Sequence, residues 1–213
     1  MAMLMSEMTR MNRSWKLAAI AAPALALTAL SGCVSIGGGG EQPDQLIDLT
    51  PRAVAPAGAS ESGQVDEAVF VFEPEVQNRL DNKRVPVQID DSSVAYLQGA
   101  TYVDRPARLF QHLLAETLRA KGGMLVVEGV DPGLPNRTRL YGQLVDMGYN
   151  ARSSSVIVTY DAVQIAPDGT VRSQRFSHTV DGLTPDVISV APALNEAANA
   201  VALDVANWFD PGK

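Results

Sequence analysis

Few side chains in this 213-residue sequence stand at spacings that support chemistry. The sole cysteine, Cys33, follows Leu30-Ser31-Gly32, and with no second cysteine to pair with, its thiol is either free or the target of a covalent attachment. His112 and Glu116 are four residues apart, a spacing that stacks them on one helical face, but the metalloprotease arrangement needs two histidines flanking a glutamate. The only other histidine, His178, stands alone in a strand-like stretch, where we expect it on the solvent face. Ser60 and Ser62 lie in "GASESG", which is not the Gly-x-Ser-x-Gly elbow of a nucleophilic serine, and no strand precedes it. The glycine run 37 to 40 lacks the Gly-Lys-Ser/Thr that cradles phosphates. Asp90-Asp91 are ordinary turn residues. The expectation is therefore a protein that is not an enzyme, with no catalytic, cofactor or metal residues.

The residues ahead of Cys33 give the thiol a context. Arg10, Arg13 and Lys16 precede an apolar run from Leu17 to Leu30, which Pro23 interrupts. A membrane span needs about 20 apolar residues, so the run is too short to cross and reads as a secretory signal over residues 1–32. Leu-Ser-Gly leading into Cys33 resembles the lipobox of bacterial lipoproteins. In that pattern diacylglycerol alkylates the thiol and cleavage leaves Cys33 as the acylated N-terminus. Two or more acyl chains anchor stably, since each buried CH2 contributes roughly 0.8 kcal/mol. Residues 33–45 then form a Gly-rich tether. Met8 and Met11 are alternative starts beside Met1, because the residues before them add nothing that a signal requires.

Removal of residues 1–32 leaves 181, enough for one domain over 46–213 with a sizeable core. The leader holds three of the 17 Lys and Arg and one of the 24 Asp and Glu, so the remainder carries a net charge of −9. That balance, with no Lys/Arg cluster, argues against nucleic acid and against an anionic membrane surface, and leaves attachment to the lipid.

Periodicity supplies the elements. "LIDL" (46–49), "EAVFVFEPEV" (67–76) and the two halves of "RVPVQIDDSSVAYLQG" (84–99) read as short strands, the last pair as a hairpin turning at Asp90-Asp91-Ser92. Pro86 lacks a ladder donor, which places its strand at an edge or a bulge. Leu109, Phe110, Leu113, Leu114, Thr117 and Leu118 recur at helical spacing after Asp104, an expected cap, and Pro106; Gly122-Gly123 end the helix. "MLVVEGV" returns to β structure, and after the loop "DPGLPNRT" come "RLYGQLVDMGY", "SSVIVTYDAVQI" and, beyond Pro167-Asp168-Gly169, "TVRSQRFSHTV". Leu194, Ala197, Val201, Val205 and Trp208 mark a terminal helix. The fold class is α+β, a mixed or antiparallel sheet with two main helices packed on it. Most aromatic residues belong to the core; Tyr102, between a strand and a helix, is the candidate partner contact.

The lipobox, "LIDLTP", the long segment from "VFEPEVQNRLDNKRVPVQIDDSSVAYLQGATYVDRPARLFQHLLAETLRAKGG", the hairpin around "APDGTVRSQRFSH" and the closing "AANAVALDVANWF" together resemble the ABC-type transport auxiliary lipoproteins, including the paraquat-inducible protein C type. Family members commonly carry tryptophan where Tyr102 stands, while Trp208 matches their terminal helix. The resemblance implies a periplasm-facing lipoprotein of a Gram-negative envelope, working with an ABC transporter (ATPase and permease) and a mammalian-cell-entry (MCE) domain protein to move lipids between membranes. Val34 stands where an inner-membrane retention signal would place aspartate, which points to the outer membrane. The favoured role is an adaptor between the MCE protein and the outer membrane. A lipid carrier that itself holds an acyl chain, and a structural or enzymatic envelope lipoprotein, stay open beside it, and a homo-oligomer is compatible with each.

Overall fold

The computed structural model describes residues 45–64, 66–129 and 137–210. All the described residues belong to one compact unit, 42–213. The leader, the alternative starts, Cys33 and the Gly-rich tether up to residue 44 lie outside the described residues, as does most of the loop "DPGLPNRT".

This unit is an α+β fold. Its elements are β1 (Gln45–Ile47), β2 (Val69–Val71), β3 (Glu75–Val76), β4 (Arg84–Gln88), β5 (Val94–Tyr102), α1 (Pro106–Lys121), β6 (Val126–Glu128), β7 (Thr138–Asn150), β8 (Ser155–Ile165), β9 (Val171–Val180) and α2 (Val187–Trp208). The nine strands form one mixed sheet organised around β7. Along one edge β7 pairs antiparallel with the whole of β8, which pairs antiparallel with β9. Along the other edge three short strands follow one another in parallel: β2 at Thr138 to Leu140, β3 at Gln143 to Leu144, β4 at Tyr149 to Asn150. Between the first two, Phe72 keeps one bond to β7, its N–H donating to the Leu140 carbonyl at 3.0 Å, and Glu73 and Pro74 leave the ladder. Beyond β2 lies β6; beyond β4 lie β5 and then β1.

Pro86, opposite Tyr96, stands directly after an irregularity in the β4–β5 register that begins at Arg84. The strand is interior to the sheet, so the bulge and not the edge accommodates it.

Both helices cover one face. From α1, Phe110, Leu113, Leu114 and Leu118 are fully buried; from α2, Leu194, Ala197, Val201 and Val205 are. They meet Leu140, Leu144, Met147, Val156, Val158 and Tyr160 of β7 and β8. Burying each large apolar side chain contributes roughly 1.5–3 kcal/mol, and this layer is where the fold draws most of its stability. The alanines of α2 permit close approach to the sheet. Asp186 caps α2 by accepting the Ser189 N–H at 2.9 Å. At the start of α1 the expected cap is displaced by one residue: Arg105 holds the N-cap position without a side-chain capping bond, and Asp104 accepts the Arg105 N–H at 2.8 Å while pairing with Lys83 and Arg108.

Candidate functional site: a groove on the uncovered sheet face

Strand alternation decides which side chains the helices leave uncovered. On β8, Val156, Val158, Tyr160, Ala162 and Gln164 face the helices, and Ile157, Thr159, Asp161, Val163 and Ile165 face the other way. The register carries this across the sheet: Val163 lies opposite Tyr141, Asp161 opposite Gln143, and Ile165 opposite Arg139. Where Glu73 and Pro74 depart from the edge of β7, the uncovered face hollows into a half-open groove of about 880 Å³. Phe72, Tyr141, Val163 and Ile165 line it, with Gln143, Glu73, Glu75 and Asp161 also contributing, and Gln111 of α1 reaches its rim. The Phe72 and Tyr141 rings are stacked, with centroids 4.2 Å apart and planes 13° off parallel.

Gly142 shapes the same region from behind. A Cβ there would come within 2.3 Å of the Asp161 carbonyl oxygen and 2.4 Å of the Tyr160 ring. Its absence lets Tyr160 lie against the strand and donate its hydroxyl to the Tyr141 carbonyl at 2.9 Å. Burial pushes the Tyr160 phenol well above its ordinary value, so it stays a neutral donor.

Two of the groove's acids are already engaged. Glu73 meets Arg105 at 2.8 Å, and Asp161 is held by a two-bond Arg175 fork at 2.6 Å, which keeps its carboxyl below the usual range.

A second cluster assembles on α1 and β6. His112, Glu116 and Glu128 offer one nitrogen and two carboxylates within 4.8 Å of one another, the only such group among the described residues that is arranged to hold a cation. Arg119 occupies it from inside. Its Nη1 donates to Glu116 at 2.5 Å and to Glu128 at 2.7 Å, while His112 Nδ1 lies 3.3 Å from Glu128. Burial works against the Arg119 charge, but the two carboxylates outweigh it and hold the guanidinium still more firmly protonated. The geometry is an ion-pair network linking helix to strand.

Tyr102, the candidate contact, and His178, expected on the solvent face, both change place. Tyr102 is fully buried and its hydroxyl points to the Met147 carbonyl at 3.4 Å. It ends β5 on the helix-facing side, so it fills the core and is no surface contact. Burial, with the Asp146 charge adding to it, keeps this phenol neutral. His178 lies opposite Val158, on the helix-covered face and half-buried, instead of on the solvent face. The groove residues themselves went unnoticed, although β8 carries a signal for them. Ile157, Val163 and Ile165 make its outward face apolar too, and a strand apolar on both faces expects something against each.

No protein-family model matches the chain, and no curated protein matches it. Among solved structures, a Xanthomonas campestris protein of the DUF330 family is similar with a TM-score of 0.63 at 17% identity, over 77% of this chain and 94% of that one. A second, described as an uncharacterized protein, gives 0.57 at 12% identity, over 68% and 93%. At these identities the likeness is one of fold.

Proposed function

We propose that the chain is the lipoprotein component of an ABC/MCE-type lipid transport system in a Gram-negative envelope, and that the groove holds the apolar chain of a transported lipid. The groove carries this reading. Its volume is within the roughly 300–1,000 Å³ of small-molecule sites, and its apolar side chains lie on a face that neither helix covers. The space between sheet and helices, by contrast, is filled by Tyr102, Phe110, Tyr160 and their neighbours, so an acyl chain has its place outside that layer. The Leu30-Ser31-Gly32-Cys33 motif and the resemblance to transport auxiliary lipoproteins support a tethered, periplasm-facing protein; the shared fold with the Xanthomonas protein is consistent with this.

Docking of an MCE protein is the second reading, and β9 favours it. Among the described residues this ten-residue strand pairs only with β8. Its other edge offers backbone groups to an incoming strand. Gentle extraction of the protein from its own envelope, followed by mass spectrometry, tests the first reading: about one acyl lipid per chain is expected. Lipid-free protein that co-purifies with the periplasmic part of an MCE protein would establish docking instead.

A further inference from the structure

Three carboxylates line the groove, Glu73, Glu75 and Asp161, and among the described residues that line it none is lysine, arginine or histidine. Arg105 balances Glu73, and Arg175 balances Asp161. Glu75 is different: among the described residues no donor or cation meets its carboxylate, so the lining keeps one uncompensated negative charge. A cleft lined by one sign of charge focuses its field, and a charge acts more strongly there than on a flat, fully solvated surface. The groove therefore favours a positive group and disfavours a bare phosphate or carboxylate.

The register gives that group its place. Val76 packs against the core, so its neighbour Glu75 faces the uncovered side. Glu75 lies opposite Gln143 and Gln143 opposite Asp161, which sets three polar side chains in one row across β3, β7 and β8. Gln143 likewise has no partner among the described residues, and its carboxamide oxygen is an acceptor. Two residues along the same strands, about 7 Å away, Tyr141 and Val163 form an apolar row, and Ile165 extends it. The floor is thus apolar at one end and lined with acceptors at the other.

We infer that the groove selects an amphiphile whose headgroup carries an ammonium, as in a lipid of the ethanolamine type: the apolar chain lies over Tyr141, Val163 and Ile165, and the ammonium donates to the Glu75 carboxylate and the Gln143 carboxamide oxygen. The inference rests on the groove being an acyl-chain site and adds the sign and place of the headgroup. A primary ammonium brings three donors, and charge-assisted bonds to a carboxylate are roughly twice as strong as neutral ones. A headgroup with negative charge alone faces the same carboxylate as a repulsion, and discrimination gains from both sides.

The test offers the full-length protein, purified in a mild detergent, an equimolar mixture of oleoyl lysophosphatidylethanolamine and oleoyl lysophosphatidate. Native mass spectrometry reads the ratio bound. The ammonium lipid is expected in excess by about tenfold or more, in line with hydrogen bonds to a charged group. Glu75→Gln, which exchanges an exposed carboxylate for its neutral isostere, should bring the ratio close to one, and Glu196→Gln on the exposed side of α2 should leave it unchanged. Free ethanolamine should leave the thermal midpoint of the wild type unmoved. A wild-type ratio near one, or in favour of lysophosphatidate, overturns the headgroup assignment and leaves the groove reading standing. A preference that survives Glu75→Gln overturns the role of Glu75. Stabilisation by free ethanolamine as large as that by the ammonium lipid overturns the amphiphile, and failure of either lipid to bind overturns both the headgroup and the groove.

Discussion

Asn199 of α2 grips the backbone on both sides of Pro51: its Oδ1 accepts the Arg52 N–H at 2.7 Å and its Nδ2 donates to the Thr50 carbonyl at 3.0 Å. One turn earlier, Asn195 accepts the Thr50 N–H at 2.9 Å. Two asparagines four apart on one helix thus pin the segment that follows β1, the part of the domain nearest the expected lipid tether. Asn199→Leu keeps the branched shape but leaves an N–H and a carbonyl without partners, so it should lower stability by about 1–3 kcal/mol. Hydrogen exchange at Arg52 should accelerate by more than at β8 amides; uniform exchange across the domain would show that the pin does not act locally.

Tyr102→Ala removes a fully buried ring and should cost roughly 3–5 kcal/mol in chemical denaturation. A midpoint within error of the wild type would mean that the ring is at the surface after all.

Local signals and long-range ones fared differently. The α1 stripe, the hairpins and the Pro86 bulge were legible because three- and four-residue periodicity, turn chemistry and a missing N–H act over a few residues. Tyr102 and His178 were misplaced because the face a strand residue occupies depends on which strands flank it. The parallel pairing of β2, β3 and β4 along a single edge of β7 joins segments 62 to 69 residues apart, and β3, with its two residues, leaves no periodic trace.

Asp146 offers a pH handle. Burial raises its carboxyl above the ordinary 3.8 despite Arg79 at 3.5 Å. The folded state therefore holds this proton more tightly than the unfolded chain. Its contribution to stability is full below the unfolded value and declines as pH rises through the raised folded value. Asp146→Asn should remove that decline, so the mutant's advantage over the wild type grows from strongly to weakly acid pH. Parallel stability curves for the two proteins across that range would contradict the assignment. Asp161, lowered by Arg175, acts with the opposite sign, losing its contribution as pH falls through the folded value.

Cys33→Ser should abolish incorporation of a clickable fatty acid in cells and leave uncleaved precursor at the inner membrane, as the Leu30-Ser31-Gly32-Cys33 motif requires. Equal label in mutant and wild type would remove the lipoprotein expectation.

The groove is the centre of the account, and Val163 gives direct access to it: the side chain faces away from the core, opposite Tyr141, in the groove wall. Val163→Arg should fill the groove with a long charged side chain while leaving the helix-covered layer untouched. The decisive measurement is native mass spectrometry of the two proteins after incubation with oleoyl lysophosphatidylethanolamine, alongside their thermal midpoints. The wild type should carry one lipid and Val163→Arg none, with ligand-free midpoints within a few degrees of each other; equal lipid occupancy in two equally stable proteins would show that the chain binds lipid elsewhere, and lipid on neither would remove the groove's proposed role.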